Sequence, residues 1–328
     1  MALLHDETAT ALSAGGRFGH VGIKMTKLIN SSDFDAAFAE IGLPELGKGD
    51  IAFSYSHPGQ SRFRRSLIRG VEVLSGSKTF ERLYNEWKAV PRDPEETIFK
   101  SAVQTLGVKA AFVSGEENAI PATGGVLVVA NHPFGIIDGL LIGHLASLGR
   151  SDVKLMVHSL LAQPPEVKDS LLPVDFGGTS ESRRVSALTR KQAVDWLDQG
   201  HVLVIFPAGG ISTSPKPWSR KAADPAWHPF VARLASRPGV KTVPIFLHGQ
   251  NSRLFQVLSH FSYPLRIAMI FRETKRRLNR PVKVAMGAAI DCAVMERDQI
   301  VDHLRRVTFA MGGADPKAEY VFPKRFKF

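Results

Sequence analysis

The sequence predicts an α/β fold, a largely parallel or mixed sheet covered by helices, preceded by a mainly helical N-terminal section. Three observations carry that expectation. After residue 110, short apolar runs rich in β-branched residues alternate with longer helical stretches, the pattern of strands buried on both faces and joined by covering helices. Most of these runs end at a polar or glycine-rich turn. Before residue 110, apolar residues recur at helical rather than strand spacing.

Taken in order, residues 1–57 read as an N-terminal arm, with only a short helical pattern over 33–41. Gly42 to Gly49 superficially resembles a phosphate-binding loop, but Gly49 stands where a metal-binding Ser or Thr belongs and no apolar strand precedes it. It reads as a turn. Residues 58–112 form a helical section. Within it, Phe63, Leu67, Val71 and Leu74 make one face of a basic amphipathic helix carrying Arg62, Arg64, Arg65 and Arg69, either lying on an anionic membrane or packed with a solvated outer face. Phe80, Leu83, Tyr84 and Trp87 make a second helix whose stripe reads as core, and Asp93-Pro94-Glu95-Glu96 is expected to open a third that stops at Gly107. Residues 113–328 form the α/β domain. Its strands are predicted at 126–130, 153–157, 171–176, 202–206, 242–247 and 282–286, with helices at 180–199 and 294–310. The tail, 320–328, alternates basic and aromatic residues, which suits a membrane interface or docking on its own domain.

Composition narrows the function classes. A chain of 328 residues, 44% hydrophobic and 22% charged, has ordinary globular character. Lys and Arg outnumber Asp and Glu by 42 to 31, for a net charge of +11, which favours an anionic partner. No zinc-finger spacing, RNP-like run or helix-turn-helix signature is present, so nucleic acid is not expected. The single cysteine, Cys292, forbids an intrachain disulfide and reads as a small buried hydrophobe. The first ten residues lack the apolar core of a secretory signal, and no apolar run spans a bilayer. A cytoplasmic protein, peripheral at the inner face of the cell membrane, is the expectation.

Two turns carry candidate chemistry. The run 126–130 delivers Asn131-His132-Pro133-Phe134-Gly135, with Asp138 beyond, to a strand C-terminus, where open α/β sheets bind ligands. Asp138 is close enough in sequence to accept one imidazole N–H and orient His132 as a general base. The alternative is a structural histidine beside a proline. The run 202–206 leads into Pro207-Ala208-Gly209-Gly210-Ile211-Ser212, either an ordinary turn or an amide nest for an oxyanion. His158 and His248 also follow apolar runs and read as core packing. No metal-ligand motif is present, so no metal is expected.

In this order the motifs resemble the glycerolphosphate and lysophospholipid acyltransferase superfamily. Asn131-His132 with Asp138 resembles its His/Asp motif, Phe206-Pro207-Ala208-Gly209 its Phe-Pro-Glu-Gly motif, and Val243-Pro244-Ile245 its Val-Pro motif; Leu172-Pro173-Val174-Asp175 falls where its second motif lies. Gly249-Gln250-Asn251-Ser252 and the five-residue spacing between His132 and Asp138 resemble the bacterial branch labelled hemolysins, which includes lyso-ornithine-lipid O-acyltransferases. The resemblance implies His132 and Asp138 as catalytic, with Asn131, Gly135, Arg183, Arg184, Phe206, Pro207, Gly209, Gly210 and Ser212 around the substrates. It also implies no bound cofactor, an acyl carrier protein or coenzyme A thioester as co-substrate, a lysolipid acceptor and an anionic membrane surface. Three positions depart from the pattern: the superfamily's Glu is Ala208, its Arg is Ile211, and the branch's Glu is Gly210. An unusual acceptor, other ligating side chains, or a weakened, silent lipid-binding protein would each account for this. A serine hydrolase is disfavoured by the lack of a Gly-x-Ser-x-Gly elbow.

Overall fold

The computed structural model describes residues 77–323 apart from 92, 94–95, 116–118, 163–164 and 176–178. The proposed arm, the basic helix over 61–75 and the last five residues of the tail lie outside the described residues. The centre is a seven-stranded sheet of β1 (Lys109–Ser114), β2 (Gly125–Ala130), β3 (Val153–His158), β4 (Leu171–Val174), β5 (Val202–Ile205), β6 (Val240–Leu247) and β7 (Pro281–Met286), in the order β1-β7-β6-β2-β5-β3-β4. Strands β6, β2, β5, β3 and β4 run parallel, while β7 is antiparallel to β6 and parallel to β1. The sheet is therefore mixed, and its five parallel strands present their C-termini along one edge.

Strand β2 is central and buried along its whole length. Its alternation divides the core: Val126, Val128 and Ala130 face one apolar cluster with Phe99, Leu141 and Ile245, whereas Leu127 and Val129 face another with Leu197, Leu234 and Leu304. The first cluster lies under α2 (Ile98–Thr105) and α3 (Ile136–Ala146), the second under α4 (Ser180–Asp198), α5 (Phe230–Ala235) and α8 (Arg297–Met311). Each fully buried aliphatic side chain contributes about 1.5–3 kcal/mol through burial. A strand hydrophobic on both faces requires cover on both, as these helices provide.

Several boundaries differ from expectation. Strand β1 carries mixed exposure and few β-branched residues, so its sequence lacks the apolar signature of its neighbours; its edge position, paired only with β7, explains this. The helix expected to open at Asp93 starts instead at Ile98, capped by Thr97, whose hydroxyl accepts the Lys100 N–H at 3.3 Å; Asp93 accepts Glu96 N–H through its carbonyl in a preceding turn. The helix does stop before Gly107. Helix α1 (Ser77–Ala89) buries Phe80 and Trp87 as the stripe predicts. Two further helices, α6 (Arg253–Phe261) and α7 (Tyr263–Arg277), escaped periodicity; their signals are the N-caps Ser252 and Ser262. Among the described residues no helix is long and apolar enough to cross a membrane.

Opposite the edge of parallel C-termini, a polar knot joins the strand entries. Arg150 pairs with Asp152 and donates to the carbonyls of Gly124 at 2.9 Å and Gly200 at 2.6 Å, and His201 Nδ1 lies 2.8 Å from Asp152. Burial works against the Asp152 carboxylate, but the Arg150 and His201 bonds outweigh it and hold the carboxyl below its usual range. A depressed folded value means stability that is complete above the unfolded value of about 4 and lost as pH falls through the folded one. Asp152→Asn should therefore lower the urea midpoint at neutral pH and flatten its acid-side decline as pH falls below about 4; an unchanged pH dependence would contradict this role.

Candidate active site

The site grows from the end of β2. Asn131 points its amide across to β6, where Nδ2 donates to the Leu247 carbonyl at 3.0 Å and Oδ1 accepts the Leu247 N–H at 2.7 Å. This pair, buried inside the protein, sets where the following turn leaves the sheet. The chain then reverses at Gly135, whose φ of 90° demands glycine and whose virtual Cβ would lie 2.8 Å from Ile211 Cδ1. Helix α3 starts immediately, and its first turn presents Asp138.

Asp138 is fully buried, and one of its oxygens gathers three contacts. Oδ2 accepts the N–H of Phe134 at 2.8 Å and of Gly135 at 2.9 Å, and it lies 2.9 Å from His132 Nδ1. A carboxylate only accepts, so Nδ1 carries the proton and Nε2 is left with its lone pair. The His132 side chain is 17% exposed, and its ring stacks on Phe206 with centroids 4.2 Å apart and planes 23° from parallel. The geometry is that of an oriented base: its far nitrogen basic, its near one held by a buried anion.

The second turn locks against the first. Ser212 N–H donates to the His132 carbonyl at 2.7 Å, and its hydroxyl donates to Asp224, which also accepts the His132 N–H at 3.3 Å and Trp227 Nε1–H at 3.1 Å. Burial pushes the Asp224 carboxyl up, opposed by bonds from Ser212, Trp227 and the His132 amide. Gly209 N–H donates to the Phe206 carbonyl at 3.0 Å, so that amide is committed to the turn. A virtual Cβ on Gly210 would lie 2.9 Å from the tip of the Phe322 ring, so a side chain there would have to displace that ring. The start of the tail is thus docked on this turn, with Tyr320 buried and its N–H donating to the Asp224 carbonyl at 3.1 Å. Ile211 is buried over Gly135, and a guanidinium does reach the turn, from α7: Arg266 donates to the Ile211 carbonyl at 2.7 Å and to Thr213 Oγ1 at 2.5 Å. Burial lowers Arg266 to about 10, still charged at neutral pH.

The structure thus brings together His132, Asp138, Gly135, Phe206, Pro207, Gly209, Gly210 and Ser212 at one edge. Asn131 is close by, and the polar groups of Asn131 and Ser212 are spent on Leu247 and on Asp224 and His132 respectively. Arg183 and Arg184 stand apart, exposed on the first turn of α4; Arg184 pairs with Glu181 at 2.9 Å. That turn follows β4, three strand positions from β2, or about 14 Å along the sheet. Cys292 is buried, and burial pushes its thiol up. His248 packs edge-on against Phe246 at 5.0 Å, and burial lowers both His248 and His158.

Four residues here were not legible as site residues. Asp224 lies in a loop with no apolar periodicity, Glu273 holds Ser252 through its N–H and hydroxyl at 2.8 and 2.6 Å, and Arg277 lies 3.9 Å over the Phe134 ring, where burial lowers it and Asp138 pushes it back up. Asn251 keeps both amide atoms buried without a hydrogen-bond partner among the described residues. Such an amide is what a bound ligand or water satisfies. Its signal was the Gly249-Gln250-Asn251-Ser252 motif. Among the described residues no group of three His, Cys, Asp or Glu side chains is arranged to hold a metal ion.

A family model described as Acyltransferase matches residues 78–273, more than half of the chain. Among solved structures, the 1-acyl-sn-glycerophosphate (LPA) acyltransferase PlsC from Thermotoga maritima is similar at 16% sequence identity and a TM-score of 0.44, over 79% of this chain and 98% of that one. A comparison with curated protein sequences finds no match.

Asn131→Leu removes both bonds to Leu247 and leaves a buried N–H and carbonyl unpaired. At about 1–3 kcal/mol for each orphaned group, chemical denaturation should show a loss of about 2–6 kcal/mol; a neutral effect would show that the amide does not hold the turn.

Proposed function

The chain belongs to the acyltransferase family, and we propose that it moves a fatty acyl group from a thioester, on acyl carrier protein or coenzyme A, to a hydroxyl of a lysolipid. The supporting observation is the 2.9 Å contact between His132 Nδ1 and the fully buried Asp138 at the end of the central strand. His132 Nε2 takes the hydroxyl proton as the acceptor oxygen attacks the thioester carbonyl, and Asp138 stabilises the imidazolium. When the tetrahedral intermediate collapses, the thiolate leaves and recovers that proton. The nucleophile is the acceptor's own alcohol, so no protein serine or cysteine is required, in keeping with the burial of Cys292.

The oxyanion is assigned to donors at the glycine turn, where Gly209 N–H is already used and Gly210 N–H is the candidate, together with the unpartnered Asn251 amide. Arg277, half-buried beside Asp138, is a better placed cation for an acidic acceptor group than Arg183 or Arg184. The loss of a carboxylate at Ala208 and Gly210 favours a second reading, a silent lipid-binding protein of the same fold. The hemolysin-type, lyso-ornithine-lipid branch remains the finer assignment proposed, on the spacing of His132 to Asp138 and on the Asn251 motif.

The test offers acyl carrier protein and coenzyme A thioesters with a lysolipid panel, following thiol release and diacyl product by mass spectrometry. Wild type should form product and His132→Ala should lose about a hundredfold or more in rate. Equal rates would remove the assignment, and bound lysolipid without turnover in either protein would select the silent reading.

Asp138→Asn gives a finer prediction. Because all three contacts converge on one oxygen, an amide carbonyl placed there retains them and only the negative charge is lost. We expect kcat to fall about a hundredfold with KM little changed, and Asp138→Ala to fall further. A larger loss for the asparagine variant than for alanine would contradict the electrostatic role.

A further inference from the structure

Beside the site, the chain leaves it in a loop closed by an antiparallel bridge between Thr213 and Ala223. This loop carries Lys216, Arg220 and Lys221, all exposed, and at its apex Trp218, 73% exposed. It lies along α6: Arg253 donates to the carbonyls of Pro217, at 3.0 Å, and Ser219, Ser214 N–H donates to Gln256 at 2.7 Å, and His260 Nε2 lies 2.8 Å from the Ser214 carbonyl. Arg253, Gln256 and His260 thus form the stripe of α6 that holds the loop. On the adjoining stripe, at i and i+7, stand Leu254 and Phe261, 46% and 60% exposed. Residues 214–223 and 249–261 contain four Lys or Arg and no Asp or Glu.

We propose that the Trp218 loop and the outer stripe of α6 form the surface by which this protein docks on an anionic lipid bilayer. The charge and the apolar side chains specify that occupant together: a large exposed tryptophan and phenylalanine are costly in water and stable at the lipid interface, and the cations around them match acidic headgroups. An acidic protein would satisfy the cations without using the apolar tips. The surface also adjoins the chemistry. Ser212 binds the His132 carbonyl just before the loop and Asp224 binds the His132 N–H just after it. Docking here sets the histidine's edge of the sheet at the membrane surface. The inference rests on the acyl-transfer reading for its purpose, since a lysolipid acceptor resides in the bilayer; the surface itself rests on the exposed residues.

The experiment measures partitioning onto vesicles of phosphatidylglycerol and phosphatidylcholine, for the full chain and its variants. Wild type should bind the anionic vesicles and weaken as salt rises. Trp218→Ala should reduce partitioning about tenfold, and Arg220→Ala and Lys221→Ala about fivefold each. With vesicles of brominated lipid, the emission quenched in wild type should be missing in Trp218→Phe, which distinguishes this contact from docking by any other segment. Unchanged partitioning of the variants, or an unquenched Trp218 in the vesicle-bound protein, overturns the proposal. So does binding of acyl carrier protein that these variants abolish while vesicle binding persists. A water-soluble short-chain acceptor separates the two readings. Trp218→Ala should acylate it at the wild-type rate; absence of acylation by wild type despite intact vesicle binding removes the catalytic reading and leaves the surface standing.

Discussion

Three contacts converge on one oxygen of Asp138, and the rest of the site depends on that convergence. Two come from the amides of Phe134 and Gly135 and one from His132. The amides fix the carboxylate relative to the turn, and the carboxylate fixes the imidazole. The arrangement is possible only because Gly135 admits a backbone conformation that L side chains rarely adopt, while α3 begins in the next residue and places Asp138 back over the turn. Packing supplies the rigidity: β2 is buried on both faces, so the point from which the turn departs cannot drift without opening two cores.

A second set of contacts holds the neighbouring turn against the first. Asp224 ties together Ser212, Trp227 and the His132 amide, while Arg266 reaches Ile211 and Thr213 from beneath rings of Phe255, Tyr320 and Phe322 at 5.2, 5.4 and 5.3 Å. Two positions at which the sequence departs from the pattern it resembles belong to this packing. Isoleucine at 211 fills the space over Gly135, and glycine at 210 accommodates Phe322. The guanidinium that the turn's own sequence lacks is supplied to its backbone from α7, by the buried Arg266. A buried charge of this kind is costly unless fully bonded, and its carbonyl, hydroxyl and aromatic neighbours offset that cost.

How much was legible followed the physics of each segment. Strands β2 and β5 announce themselves because burial on both faces demands unbroken apolar runs, and the pairing of His132 with Asp138 follows from a short turn. Strand β1 was invisible because an edge strand needs only partial apolarity. Asp224, Glu273 and Arg277 were equally hidden, since each meets its partner through tertiary contact and none belongs to a local pattern. The exposed arginines at 183 and 184 show the converse: sequence order placed them after a motif, but β4 lies three strands from β2 in the sheet. Sequence adjacency to a motif is a weak guide where strand order differs from chain order.

In this geometry Asp138 holds the His132 proton on Nδ1 and leaves Nε2 with its lone pair. Nitrogen-15 NMR of the histidine-labelled protein, with His132 assigned by substitution, reads the tautomer directly. The neutral ring should carry its proton on Nδ1 and revert towards the ordinary Nε2–H form in Asp138→Ala. A His132 ring carrying its proton on Nε2 in the wild-type protein would contradict it.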